Sequence, residues 1–512
     1  MSIRRAKGAV AAGHPQTAEA AALLLEAGGN AFDAALAALC AACVAEPVLT
    51  SLGGGGFLTA RTAAGDTRVY DFFVQTPRRK RPLDEIELFP VLADFGTAQQ
   101  EFHIGMGSVA TPGTVRGLFE VHRALGSVPM RRIVEPAVAA ARDGVRLNQL
   151  QAYIFSVVAP IYLATPGARA LYASPEDPRR LFGAGEQMRQ PELADALDLL
   201  AIEGDRLFYE GEIARTLAEL CEHGGGQIGS ADLASYRVCT RVPLRRDYRG
   251  ARLYLNPLPS SGGLLIAFAL ALLEGQDLAR DPFGAPGHLL TLARVMEQTN
   301  LARNAGTADA QLLSNDWVAR YRRALDGRPL ATSGTTQISV LDAWGNAASL
   351  TLSNGEGCGH VLPGTGIMLN NMLGEEDLNP HGFHLWREDL RVSSMMAPTV
   401  AEHAGRLIAL GSGGSNRLRT AILQTLINLV DFGMPPAAAV AAPRIHLERD
   451  RISIEPGLAA DTVRLLTDHW PDHQLWDEPN LFFGGTHTVV YDGRQFAGAG
   501  DPRRGGVLRI VP

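Results

Sequence analysis

The chain has 512 residues, 46% of them hydrophobic and 20% charged, with a formal net charge of −7. That is the balance of a globular protein with a large buried core, and it offers no basic face for nucleic acid. Lysine is nearly absent: only Lys7 and Lys80 occur, and no Gly-Lys dipeptide exists, which excludes a Walker A loop.

The N-terminus, Met1-Ser2-Ile3-Arg4-Arg5-Ala6-Lys7, is positively charged but has no apolar h-region, so it does not read as a secretory signal. No uninterrupted apolar run approaches the ~18 residues of a membrane span. A cytoplasmic protein without membrane contact is the expectation. Residues 16–27 read as a helix stopped by Gly28-Gly29, and Asn30 caps a second helix that runs to about Glu46 and ends at Pro47. Cys40 and Cys43 form a C-x-x-C on that Ala-rich helix. With no second Cys or His pair to complete a site, they read as small buried residues, and the five cysteines (also Cys221, Cys239 and Cys358) suggest no disulfide framework. Neither metal nor cofactor is expected.

Four glycines, Gly53 to Gly56, precede a strand-like stretch and Val69-Tyr70-Asp71-Phe72-Phe73. They read as a place of close packing between helix and sheet rather than a phosphate cradle. From Met106 to about Leu272 the pattern is mostly helical, with Pro-rich breaks at Thr111-Pro112-Gly113 and Pro259-Ser260-Ser261-Gly262-Gly263, and more helix follows to Leu325. Residues 326–334 are rich in Gly, Pro, Ser and Thr and read as an exposed linker. Beyond it the period switches to two: strands at 336–342 and 347–353 flank the turn 343–346, a β-hairpin. More strands follow, with a helix near Arg417–Val430. A helix-rich segment, 1–334, is thus joined to a strand-rich one, 335–512, with Thr335 at the junction. The arrangement predicts a four-layer αββα sandwich of the mixed α/β (α+β) class.

A threonine hydroxyl is a weak nucleophile unless a base stands beside it, and a free α-amine on the same residue can be that base. Its unperturbed pKa, about 7.7–8.0, suits general-base work near neutral pH. An internal threonine gains that amine only when the bond before it is cut. Gly334 leaves room for the Thr335 hydroxyl to reach its carbonyl and shift the acyl group from nitrogen to oxygen. Gly-Thr is a common dipeptide in this chain, so the pair alone carries little weight.

The surrounding motifs carry more. Thr335-Thr336-Gln337-Ile338-Ser339-Val340 with Asp342 and Gly345-Asn346-Ala347 resembles the start of the small subunit of γ-glutamyltransferases, members of the N-terminal-nucleophile hydrolases. Residues 28–57, Thr111-Pro112-Gly113, 259–263, Ser393-Ser394-Met395 with Pro398-Thr399, Gly411-Ser412-Gly413-Gly414-Ser415 and Asp501-Pro502-Arg503 match further signatures in order. The resemblance implies self-cleavage between Gly334 and Thr335, the two fragments remaining together as a heterodimer. It implies a glutathione-like γ-glutamyl amide as substrate, and water or an amino acid or peptide as acceptor. Thr335 is then nucleophile and base, and Ser353 is the hydroxyl that hydrogen-bonds it, where the family carries threonine. Gly413 and Gly414 supply oxyanion-hole N–H groups, and Ser393 and Ser394 bind the substrate α-carboxylate. Asn371 leads into an acidic cluster, Glu375, Glu376 and Asp377, one of which holds the α-amine.

Two departures affect the substrate reading. The family carries an Arg-Glu pair after the Asp-Phe of its early strand, whereas this chain has Phe73-Val74, so Arg78, Arg79 and Arg81 compete for the carboxylate role. The segment Asn354-Gly355-Glu356-Gly357-Cys358-Gly359 is glycine-rich and short, and Cys358 with His360 is a lesser candidate nucleophile. The alternatives are a glutaryl or cephalosporin-type acylase of the same mechanism and an unprocessed, inactive binding protein. No serine occupies a Gly-x-Ser-x-Gly elbow, and His381 and His384 lie in a Pro/Gly-rich loop that gives metal chemistry little support.

Overall fold

The computed structural model describes residues 6–94, 99–304, 310–323, 335–379, 382–448 and 450–512. Two antiparallel sheets form its centre. Their strands, in chain order, are β1 (Gly8–Ala12), β2 (Gly55–Arg61), β3 (Thr67–Phe72), β4 (Cys239–Arg241), β5 (Leu244–Tyr248), β6 (Ala251–Leu255), β7 (Thr336–Asp342), β8 (Ala347–Ser353), β9 (Thr399–His403), β10 (Arg406–Gly413), β11 (Gly485–Tyr491), β12 (Phe496–Ala499) and β13 (Val507–Val511). The seven-stranded sheet runs β13-β1-β7-β8-β2-β3-β4, and the six-stranded sheet runs β12-β11-β10-β9-β6-β5. Helices α1 (Pro15–Glu26) and α2 (Ala31–Ala45) cover the outer face of the first sheet, and α3 (Ser261–Leu273) and α4 (Arg417–Val430) cover that of the second. This is the αββα sandwich expected from the sequence.

Local chemistry explains the helices nearest the site. Asn30 and Asp33 form a reciprocal capping box at the start of α2, and the Asp342 carboxylate accepts from Ala31 N at 2.9 Å, tying the helix to the β7–β8 hairpin. Every residue of α2 is buried, as is every residue of α3. Cys40 and Cys43 are free thiols in that packed interior. No helix among the described residues is long and apolar enough to cross a membrane.

The stretch read as mostly helical, 106–272, contains β4, β5 and β6, so the segment before residue 335 supplies strands to both sheets. The arginines at 241, 245 and 246 mask the period-two pattern, because β4 and β5 are edge strands whose faces are only partly covered and long cationic side chains are tolerated there. The four glycines are a place of close approach, but strand to strand: a Cβ at Gly55 would meet the Phe72 carbonyl oxygen at 2.9 Å.

Strands β7, β8, β10 and β11 are buried on both faces. On β7, Ile338 and Val340 join the core beneath α2, while Gln337, Ser339 and Leu341 face the other sheet. The inter-sheet layer near the β7 start is polar but satisfied. Ser339 Oγ donates to the His487 carbonyl at 2.8 Å and Ser349 Oγ to the Leu410 carbonyl at 2.8 Å, while Thr351 Oγ1 donates to Gln337 Oε1 at 2.6 Å.

Candidate active site

Thr335 immediately precedes β7 and is buried. The β7–β8 register pairs Thr336 with Leu352, and one further step brings Thr335 opposite Ser353. By alternation Thr335 belongs to the face turned toward the second sheet, while Thr336 points the other way: its hydroxyl donates to Glu46 Oε2 at 2.8 Å, and Thr17 donates to the other Glu46 oxygen at 2.7 Å. Burial raises the Glu46 carboxyl above its ordinary range, partly offset by those two hydroxyls.

The end of β10 closes over Thr335. Gly411 and Gly413 share the face of β10 turned toward β7. A Cβ at Gly411 would overlap the Gln337 side-chain amide, and one at Gly413 would overlap the Thr335 carbonyl oxygen. Gly414 has φ +115° and Ser415 φ +54°, so the chain turns sharply just beyond. The glycine turn therefore packs against Thr335, where an oxyanion hole would need its donors.

The acidic cluster divides three ways. Asp377 accepts from Ser415 Oγ at 2.6 Å and Asn416 Nδ2 at 3.1 Å, which joins it to the Gly413–Gly414 turn. Burial raises its carboxyl to about 6, with Glu448 adding to the shift and Ser415 opposing it. Glu375 is buried against Asn371 and Gly355, just beyond Ser353, and Asn371 Oδ1 accepts from Glu356 N at 2.9 Å. Glu376 is exposed. Asn370 anchors this loop by donating to the carbonyls of Gly53 and Ala110, each at 2.8 Å.

Ser393 and Ser394 meet the segment before α3. Ser393 Oγ donates to the Pro259 carbonyl at 2.8 Å, and the Ser394 carbonyl accepts from Ser261 N at 2.8 Å. The Ser393 side is exposed and Ser394 is buried, its Oγ accepting from Met396 N at 3.0 Å. One apolar cluster, including Phe73, Met372, Leu373, Met396 and Leu418, ties the loops of Asn371, Ser394 and Gly414 together.

The arginines expected to bind a carboxylate are engaged elsewhere. Arg78 approaches Asp389 at 3.7 Å, and Arg81 donates to the carbonyls of Glu222 and Gly226 at 3.1 and 3.2 Å. Neither contact involves the Thr335 cluster. Cys358 is buried and its thiol is pushed up by desolvation, while His360 turns to Glu87 at 2.7 Å rather than acting as its base. His384 Nε2 donates to the Arg81 carbonyl at 3.0 Å, whereas His381, like Gly334 and the linker 326–334, lies outside the described residues.

Sequence reading missed two buried cations. Arg504 Nη1 donates to the Thr335 carbonyl at 3.3 Å, and burial lowers its guanidinium to about 10, opposed by Asp501, Glu356 and Glu46. Arg417 at the start of α4 donates to the Phe482 carbonyl at 2.9 Å and is also lowered by burial to about 10. The adjacent Asp501-Pro502-Arg503 was the signal available for the first.

A family profile described as Gamma-glutamyltranspeptidase matches residues 17–511. The chain belongs to the gamma-glutamyltranspeptidase family. It is 31% identical to the acylase ACY 1 proenzyme of a Pseudomonas species, over 95% of this chain and 90% of that protein. It is 29% identical to the glutathione hydrolase proenzyme of Escherichia coli, over 98% of this chain and 91% of that one. The crystal structure of a cephalosporin acylase from Bacillus halodurans superposes with a TM-score of 0.86 at 24% identity, covering 99% of this chain and 96% of that chain, a likeness of fold.

Proposed function

We propose that this member of the gamma-glutamyltranspeptidase family cuts itself between Gly334 and Thr335 and then uses Thr335 to attack γ-glutamyl amides. The observation that supports it best is the meeting of Thr335, opposite Ser353, with the glycine turn of Gly413 and Gly414. In the first step the Thr335 hydroxyl oxygen adds to the Gly334 carbonyl, the hydroxyl proton passes to the Thr335 nitrogen, and the C–N bond breaks to leave an ester and the new α-amine. Water then hydrolyses the ester. In turnover that amine takes the hydroxyl proton as Oγ attacks the γ-amide carbonyl. The N–H groups of Gly413 and Gly414 hold the oxyanion, the proton passes to the leaving amine, and water or an amine acceptor resolves the acyl-enzyme. Removing one such donor typically costs ~2.7–4 kcal/mol of transition-state stabilisation.

In this reading Ser393 and Ser394 meet the α-carboxylate, and Asp377 or Glu375 meets the ammonium. Incubation with glutathione tests it: glutamate release that is lost in Thr335→Ala is expected, and no release would refute the substrate class.

A second reading, a glutaryl or cephalosporin-type acylase, is supported by the likeness to the acylase ACY 1 proenzyme, 31% identical over 95% of this chain. The discriminator is the α-amine. A site built for a charged group rejects analogues lacking it far more strongly than a site that reads bulk. Comparing kcat/KM for γ-glutamyl- and glutaryl-p-nitroanilide decides between the two; a glutaryl preference moves the chain to the acylase reading.

A further inference from the structure

Arg504 is a buried cation with an unusual setting. It closes the short turn Pro502–Arg504, which Asp501 caps by accepting from Arg503 N at 3.0 Å. That neighbouring carboxylate is held by Arg444 at 2.6 Å and Arg503 at 3.3 Å, and among the described residues no carboxylate lies within ion-pair distance of Arg504. Its two terminal nitrogens form a fork instead. Nη1 donates to the Thr335 carbonyl and Nη2 to the Leu481 carbonyl, each at 3.3 Å.

Three glycines make room for this fork. A Cβ at Gly413 would come within 3.2 Å of Nη1, one at Gly414 within 3.0 Å of Nη2, and one at Gly485 within 2.6 Å of Cδ. Burying an arginine without an ionic partner is costly. A hydrophobic side chain could bridge the same turn and strand at lower cost, so the placement against the carbonyl of the nucleophile is the feature to explain.

We infer that Arg504 is a positioning residue for Thr335: it grips the carbonyl of the nucleophile so that the hydroxyl meets first the Gly334 carbonyl and later the substrate. The inference rests on the reading of Thr335 as nucleophile. Its second consequence is electrostatic. The charged and titratable groups around Arg504 are Glu46 just after α2, Glu356 after β8, Asp501, the cation Arg417 on α4, and His487 on β11, which burial keeps neutral by lowering it to about 4. Against three carboxylates, the Arg504 charge holds the amine pKa down and keeps the amine neutral near pH 7. Without it the amine stays protonated to higher pH and fails as a base.

The test uses the full chain, with Arg504→Gln and Arg504→Lys beside the wild type, each checked by thermal melting. Self-cleavage is followed by gel and intact mass, and kcat/KM by pH profile on the better p-nitroanilide. For Arg504→Gln, slowing of about 10²-fold in both reactions is expected from a nucleophile displaced by ~1 Å, with the acid limb moved up by about one unit. Arg504→Lys keeps the charge but loses the fork, so it slows both reactions and leaves the limb in place. If Arg504→Gln cleaves and turns over like the wild type, the inference is overturned. A limb that moves equally in both variants overturns it too, since it leaves the arginine a packing role. Should Arg504→Gln not fold, Arg504→Lys at wild-type rates is enough to refute it. A wild type that does not cleave fails on the Thr335 reading itself, which separates that failure from this one.

Discussion

Replacing Gly413 by alanine adds one methyl group at the point where β10 meets the nucleophile. An ideal Cβ there falls about 0.8 Å inside the 3.0 Å that Cβ atoms keep from other heavy atoms, and the atom it meets is the Thr335 backbone carbonyl oxygen rather than a flexible side-chain end. Something rigid must therefore move by close to 1 Å. Overpacking of this kind costs about 1–3 kcal/mol of stability. The larger effect falls on chemistry, because a misplacement of ~1 Å in a reacting group costs about 10²-fold in rate. The assay pairs thermal melting with the rate of appearance of the two fragments and the initial rate of p-nitroaniline release. Gly167→Ala serves as control: that glycine sits in the helix Pro166–Tyr172 with nothing near its missing Cβ, so the change stabilises by about 0.5–1 kcal/mol or does nothing. Gly413→Ala that cleaves and turns over within about twofold of wild type would refute the claim that this glycine seats the nucleophile.

The Asp377 carboxyl, raised by burial to about 6, gives a pH prediction. If it holds the substrate ammonium, KM for γ-glutamyl substrates rises as pH falls below 6, and Asp377→Asn abolishes that dependence while sparing glutaryl substrates; a KM flat across that range in the wild type contradicts the placement. The same raised value has a sign for stability. The contribution of this group is fully present below the unfolded value, near 4, and is lost as pH rises through 6, so Asp377→Asn gains melting temperature relative to wild type at about pH 8 but not at about pH 3. Asp501 is fully buried between Arg444 and Arg503; Asp501→Ala leaves the buried Arg444 guanidinium without its carboxylate, while Arg503 keeps Glu455 at 2.6 Å, at a cost of about 3–5 kcal/mol in chemical denaturation; a loss below about 1 kcal/mol would show that the network is not a stability element.

Much of the site was legible because its signals are local. The β7–β8 hairpin follows from period-two residues around the turn 343–346, and α2 from its cap Asn30 and its stop at Pro47. The glycines at 411, 413 and 414 could be read as a motif, but their reason is three-dimensional: close approach to Gln337, Thr335 and Arg504. Partner choice among like charges was not legible. Arg78 and Arg81 lie in a basic run that any carboxylate could use, yet the fold turns them toward Asp389 and the carbonyls of 222 and 226. The cation that reaches Thr335 lies 169 residues away, just before β13, which pairs with β1 as β1 pairs with β7, a relation no local pattern encodes. The three adjacent acids Glu375, Glu376 and Asp377 likewise look alike in sequence and differ only in what each one meets.

The central claim is that Thr335 is the nucleophile that creates its own N-terminus. Intact-mass measurement of the purified chain, alongside Thr335→Ala, tests it most directly. The account predicts two fragments for the wild type, the second beginning at Thr335, and one uncut chain for the variant. A variant that is cut at the same bond, or a wild type that hydrolyses γ-glutamyl amides as a single uncut chain, would contradict it.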